Sequence, residues 1–200
     1  MVNVKGILFV CSGNRLRSLV AEHVFRSLLF RVDQNLFREV NISSAGVIPS
    51  ECYECTKRRG LVLPQPLFGK PPARSAVTAM AKRGIDIFAY RTRELDIAMV
   101  EASALILTAV KAQKRGVLEL CPAAEGKVFT LMEFTGEELY YLFDDCHTIA
   151  PELHYQPDFG DDLVTTEALI AETEYSLNKA MPKILDYLKG LIPFGVVIFT

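Results

Sequence analysis

Short apolar runs alternate with amphipathic stretches along this chain. Ile7-Leu8-Phe9-Val10 is a continuous apolar run between Gly6 and a polar loop, the pattern of a strand buried on both faces. A helical period then runs from about Leu19 to Arg31, with Leu19, Val20, His23, Val24, Leu28 and Phe30 on its inner side. Ser18 reads as its N-cap, and Glu22 as an early acidic residue complementing the helix dipole. Residues 40–44, 104–108 and 127–131 read as further strands. Helices are expected over residues 73–83, closed by Gly84, and over residues 98–102, 111–120 and 165–188. Pro182 predicts a kink or break in the last of these. The stretch 49–72 is broken by prolines and has no period, which predicts a long surface loop. Residues 133–150 are expected to hold a helix near 137–143 and then a loop with Cys146 and His147. Residues 157–162 form a polar turn, and residues 191–200 are apolar and β-prone.

Strands alternating with helices predict an α/β fold. Its core is an open four-stranded parallel sheet with helices on both faces and right-handed crossovers. Ligands in such sheets bind beyond the carboxyl ends of the strands. The expected organisation is one domain over residues 1–200, with a loop insertion at 50–68 and an apolar extension at 190–200.

Composition narrows the function. With 200 residues and a net charge of −2, the chain lacks the electrostatic footprint of a nucleic-acid binder. Its basic clusters, 57–59 and 82–83, read as solvated surface. The apolar run after Lys5 is too short for a secretory signal, and no apolar run is long enough for a membrane span. Five cysteines, an odd number, do not suggest a disulfide framework and suit a reducing cytoplasm.

The chemistry concentrates in residues 11–19, Cys-Ser-Gly-Asn-Arg-Leu-Arg-Ser-Leu, where the first strand hands over to the first helix. Cys11 and Arg17 make the pattern Cys-x5-Arg. Five spacer residues let backbone N–H groups curl into a nest around a tetrahedral oxyanion. Gly13 allows close backbone approach, and Asn14 tolerates a left-handed conformation that turns the loop. Arg17 can bind two phosphoryl oxygens at once. A helix N-terminus favours both the anion and a thiolate at Cys11. Ser18 can donate a hydrogen bond to the sulfur. The loop therefore reads as an oxyanion site, Ser12, Gly13, Asn14, Arg15, Leu16 and Ser18 binding substrate and Cys11 attacking it.

Residues 10–19, VCSGNRLRSL, resemble the VCxGNxCRSP signature of the low-molecular-weight protein tyrosine phosphatases. Ser43-Ser44-Ala45-Gly46 resembles that family's second-strand SSAG. Arg83-Gly84-Ile85-Asp86 followed by 91–95 resembles its RGID…HRSRQL, and Asp158-Phe159-Gly160 its late Asp-Pro-aromatic-Gly loop. The resemblance spans about residues 4–135 and 157–188. It implies metal-free and cofactor-free hydrolysis of phosphotyrosine, on a protein or a small aryl phosphate, through a phosphocysteine. Asp158 is then the general acid, with Asp161 and Asp162 as rivals, and Phe159 a wall of the cleft, joined by Tyr53. Two positions depart from the signature: Leu19 stands for the usual proline, and Leu16 for a second loop cysteine. Other readings are thiol-dependent arsenate reduction, non-catalytic phosphate binding, and a structural zinc on Cys52, Cys55, Cys146 and His147.

Overall fold

A computed structural model describes residues 6–58, 68–136 and 162–190. The expected helix near 137–143, the Cys146-His147 loop, Asp158, Phe159, Asp161 and the apolar end 191–200 lie outside the described residues. So does the side chain of Cys55.

The four strands are β1 (Gly6–Cys11), β2 (Asn41–Gly46), β3 (Leu105–Thr108) and β4 (Val128–Thr130). They pair in parallel in the order β2-β1-β3-β4. β1 is central, and every residue in it is buried. Because side chains alternate across a strand, Ile7 and Phe9 enter one core and Leu8 and Val10 the other. The first core is covered by α1 (Arg17–Val32), α4 (Arg74–Ala81) and α8 (Leu163–Leu188). The second lies under α5 (Ile97–Ala102) and α6 (Lys111–Leu120). The expected open parallel sheet, covered on both faces, is the architecture found.

Several local expectations change. α1 begins at Arg17, with Leu16 at the N-cap position and no side-chain cap. Ser18 is therefore not the N-cap; its hydroxyl is drawn to Cys11 instead. Glu22 does not serve the dipole at the surface but is buried and ion-paired. Phe30 points outward, half exposed, against Phe37. A further helix, α2 (Gln34–Glu39), follows directly, capped by Asp33, which accepts from the Leu36 N–H at 2.9 Å. The stretch expected as irregular contains α3 (Ser50–Arg58). All its prolines lie outside that run. Ser50 also docks on α6, its N–H and hydroxyl both donating to Glu119. The fourth strand stops at Thr130, whose hydroxyl caps the short α7 (Leu131–Thr135) in a box with Glu133.

α8 runs unbroken to Leu188 with Pro182 inside it, so the expected break does not occur. Its inner face, Leu169, Ile170, Leu177, Met181 and Ile184, is buried against α1 and α4. That packing offsets the one lost backbone hydrogen bond. Arg83 clamps its other side, donating to Glu167 at 2.6 Å and Glu174 at 3.2 Å.

Candidate active site

The loop of residues 12–16 leaves the carboxyl end of β1 and enters α1 at Arg17. Cys11, the last strand residue, is buried. Its Sγ lies 3.0 Å from Ser18 Oγ and 3.3 Å from the Asn14 nitrogen, whose N–H donates to it. Asn14 has φ of 54°, the left-handed conformation expected of it, and this turns its amide back toward the sulfur. In the Cys11–Ser18 contact either atom can be the donor, and Ser18 Oγ also reaches the Ala45 carbonyl at 3.3 Å. The uncapped start of α1 leaves first-turn N–H groups for an anion. Arg17 stands at that start with its Nη1 buried.

The remaining loop residues are tied outward, which fixes the loop from several sides. Ser12 Oγ accepts from Gln113 Nε2 at 2.9 Å, while Gln113 Oε1 accepts from the Val110 N–H at 2.8 Å. Arg15 donates from Nε to the Pro71 carbonyl at 3.3 Å, and its own carbonyl accepts from the Ala73 N–H at 3.0 Å. Leu16 packs against the larger core. At Gly13 an added Cβ meets only Arg15 Cγ, at 4.0 Å, so no contact within the described residues demands glycine there.

A buried polar cluster lies beneath the loop. Asn14 donates through Nδ2 to Ser18 Oγ at 3.0 Å and to Ser44 Oγ at 2.9 Å. Its Oδ1 accepts from the Tyr90 hydroxyl at 2.7 Å and from the Arg93 N–H at 2.9 Å. Ser44 donates to Glu22 Oε2 at 2.6 Å, and Glu22 is paired with Arg26 and Arg93, each at 3.2 Å. Burial pushes the Tyr90 phenol above its ordinary value, so it stays a donor. Gly46 closes the cluster, bonded to the Arg93 carbonyl and pressed against Phe68 and the Ser12 carbonyl.

Cys11, Asn14 and Ser18 thus come together as read from sequence, with Arg17 beside them. Glu22, Tyr90, Arg93 and Gln113 were not foreseen as site residues. A signal did exist for three of them: Glu22 lies four residues after Ser18 on one helix face, Arg93 lies inside the segment 91–95 already singled out, and Tyr90 borders it. Gln113 had none, since its role depends on α6 starting beside the loop. Asp162, the described rival for the acid, caps α8 by accepting from the Val164 and Thr165 N–H groups. Hydrogen bonds from the Thr165 hydroxyl and then its N–H hold this carboxyl below its usual range, which disfavours it as a proton donor. Among the described residues no group of three or more His, Cys, Asp or Glu side chains could hold a metal ion.

Comparison with known proteins agrees with this geometry. Residues 6–65 match the family model described as low molecular weight phosphotyrosine protein phosphatase. The chain is 34% identical over 130 residues to a Ralstonia solanacearum protein described as "Probable low molecular weight protein-tyrosine-phosphatase EpsP", covering 65% of this chain and 72% of that one. Among solved structures, the low molecular weight protein tyrosine phosphatase from T. tengcongensis superposes with a TM-score of 0.64 at 26% identity, over 90% of this chain and 99% of that one. The YwlE arginine phosphatase from Geobacillus stearothermophilus gives a TM-score of 0.63 at 23% identity, over 94% and 96%, which shows a shared fold. One third identity across most of a named relative, together with a Cys-x5-Arg loop at the carboxyl edge of a parallel sheet, places this chain in the low-molecular-weight protein-tyrosine-phosphatase family.

Proposed function

We propose that this protein hydrolyses phosphotyrosine and related aryl phosphate monoesters through a phosphocysteine at Cys11. The observation that carries the reading is the Cys11 sulfur at the foot of the loop, with the Ser18 hydroxyl oxygen at 3.0 Å and the Asn14 N–H donating to it at 3.3 Å. In the first step the thiolate attacks phosphorus and the bond from phosphorus to the phenolic oxygen breaks. Asp158 gives its proton to the leaving oxygen. In the second step Asp158, now a base, takes a proton from water as that water attacks phosphorus. The S–P bond breaks, and inorganic phosphate leaves. Ser18 holds the departing thiolate. Arg17 and the loop amides of residues 12–17 bind the equatorial oxygens in both steps. Gly13 keeps the approach to the anion open, and Phe159 flanks the aryl ring. The reaction needs no metal or cofactor.

No described helix is long and apolar enough to cross a membrane. A nucleophilic thiol works only while reduced, and we place the protein in the cytoplasm on that ground.

The test is hydrolysis of p-nitrophenyl phosphate and of a phosphotyrosine peptide, with phosphoarginine as a third substrate. The expected result is turnover of both aryl esters by the wild type, abolished in Cys11→Ser. Asp158→Asn should lower kcat by a factor of about 100 or more. Full activity in Cys11→Ser sinks the mechanism. A silent Asp158→Asn beside a crippled Asp162→Asn moves the acid. Turnover of phosphoarginine alone moves the substrate.

A further inference from the structure

The apolar stripe of α1 runs on past its buried part. Phe25, Leu28 and Leu29 are buried in the larger core, which the inner face of α8 also enters. Val32, four residues after Leu28 and seven after Phe25, continues the same stripe at the helical period. It is nonetheless 58% exposed. The corner that follows widens this surface: Phe30, 51% exposed, meets the half-buried Phe37 of α2 edge-on at 5.4 Å. A valine on a core-facing stripe and still mostly open to water is a place that a further apolar segment can close.

The chain supplies such a segment beside it. Lys189 Nζ, at the end of α8, lies 3.1 Å from Asp33 Oδ2, and Asp33 is the residue after Val32. The Lys189 N–H donates to the Leu185 carbonyl and the Gly190 N–H to the Tyr187 carbonyl, with Gly190 at φ of 74°. A left-handed glycine at a helix end turns the chain back, and the motif favours a contact between the residue after the glycine and an apolar side chain of the last turn. Here that pair is Leu191 and the half-buried Leu185. Residues 191–200, Leu-Ile-Pro-Phe-Gly-Val-Val-Ile-Phe-Thr, carry no charged side chain. A segment of this length extends to about 33 Å, ample for one that starts beside Asp33.

We infer that residues 191–200 dock in cis on the end of α1, closing Val32 and the adjoining Phe30–Phe37 surface. The ion pair from Lys189 to Asp33 delivers this segment to the surface at an effective concentration that a second copy in free solution does not match. The surface lies at the opposite end of the 16-residue α1 from the Cys11 loop, about 22 Å along the helix, so the inference is independent of the chemistry proposed there.

The experiment is hydrogen–deuterium exchange of the full chain, read by mass spectrometry on peptides covering residues 191–200. A synthetic peptide of the same sequence is the unprotected reference. Amides in this segment should exchange at least about tenfold more slowly in the protein than in the peptide. Val32→Asp puts a charge under the segment, so its protection should fall to the peptide's rate while β1 and the rest of α1 keep theirs. Val32→Ser, with a smaller loss in the same direction, serves if Val32→Asp does not fold. Exchange at the peptide's rate in the parent chain, or protection that survives Val32→Asp undiminished, overturns the inference. Protection that vanishes on dilution assigns the surface to a second copy. Protection that appears only with phosphatidylglycerol vesicles assigns the segment to a lipid surface. Either of these outcomes also overturns docking in cis.

Discussion

Replacing Gly46 with alanine tests how tightly the catalytic loop is seated on the sheet. Gly46 ends β2, and its neighbours, not its backbone conformation, demand glycine. An added Cβ would lie 2.5 Å from Phe68 Cε1, 2.7 Å from the Ser12 carbonyl oxygen and 3.2 Å from the Asn14 nitrogen. The Phe68 ring is the end of a side chain and can move aside cheaply. The other two atoms are loop backbone: to reach ordinary contact at about 3.4 Å, the Ser12 oxygen must retreat by about 0.7 Å and the Asn14 nitrogen by about 0.2 Å. Overpacking of this kind costs about 1–3 kcal/mol. The Ser12 oxygen is displaced most, and the loop backbone that moves with it carries the Asn14 nitrogen, 3.3 Å from the sulfur. A misplacement approaching 1 Å at a reacting centre costs up to about 100-fold. Gly46→Ala should therefore lose about 1–3 kcal/mol in urea unfolding and roughly 10- to 100-fold in kcat/KM on p-nitrophenyl phosphate. Phe68→Ala in the same chain relieves one of the three contacts. The double variant should recover part of the stability and little of the turnover. A Gly46→Ala protein with unchanged urea midpoint and unchanged turnover refutes the seating of the loop on this strand end.

The remaining predictions are more local. Ser18→Ala removes the hydroxyl 3.0 Å from the sulfur, so kcat should fall by about 10- to 100-fold with KM little affected, and an unchanged kcat in steady-state assays counts against the contact. Gln113→Ala strands the buried Val110 N–H and releases Ser12, which should lower stability by about 1–3 kcal/mol in urea unfolding. Gln113→Glu keeps the acceptor for Val110 but loses the donor to Ser12, so it should retain most of that stability and still lower turnover. Hydrogen bonds from Arg83 and then Lys82 hold the Glu167 carboxyl below its ordinary value. That contribution is present above the unfolded-state value and is lost as pH falls through the folded one. Stability measured from pH 6 to pH 3 should therefore drop less steeply in Glu167→Gln than in the parent, and identical slopes would show the clamp to be inert.

Much of the fold was legible because burial writes itself into short runs. Ile7–Val10 is apolar throughout because β1 is covered on both faces. The period of residues 165–188 survives Pro182 because α8 needs only its inner stripe. The elements misread are those whose determinants lie elsewhere in the chain. α3 takes its anchor from Glu119, nearly seventy residues away, and a proline-rich neighbourhood hides it. Ser18 has the chemistry of a cap and sits one residue inside the helix, but a sulfur seven residues back claims its hydroxyl. Glu22 has the composition of a surface residue and is buried only because Arg93, Arg26 and Ser44 meet it there.

The sequence by itself determined the Cys-x5-Arg loop and its place between the first strand and the first helix. Cys-x5-Arg following an apolar strand and preceding a helix is a local arrangement, and local spacing is what a linear chain states directly. Only the tertiary structure decided what orients that loop. Tyr90, Arg93 and Gln113 are separated from Asn14 and Ser12 by some 76 to 101 positions. They reach the loop because parallel crossovers bring the ends of β1, β2 and β3 to one edge of the sheet.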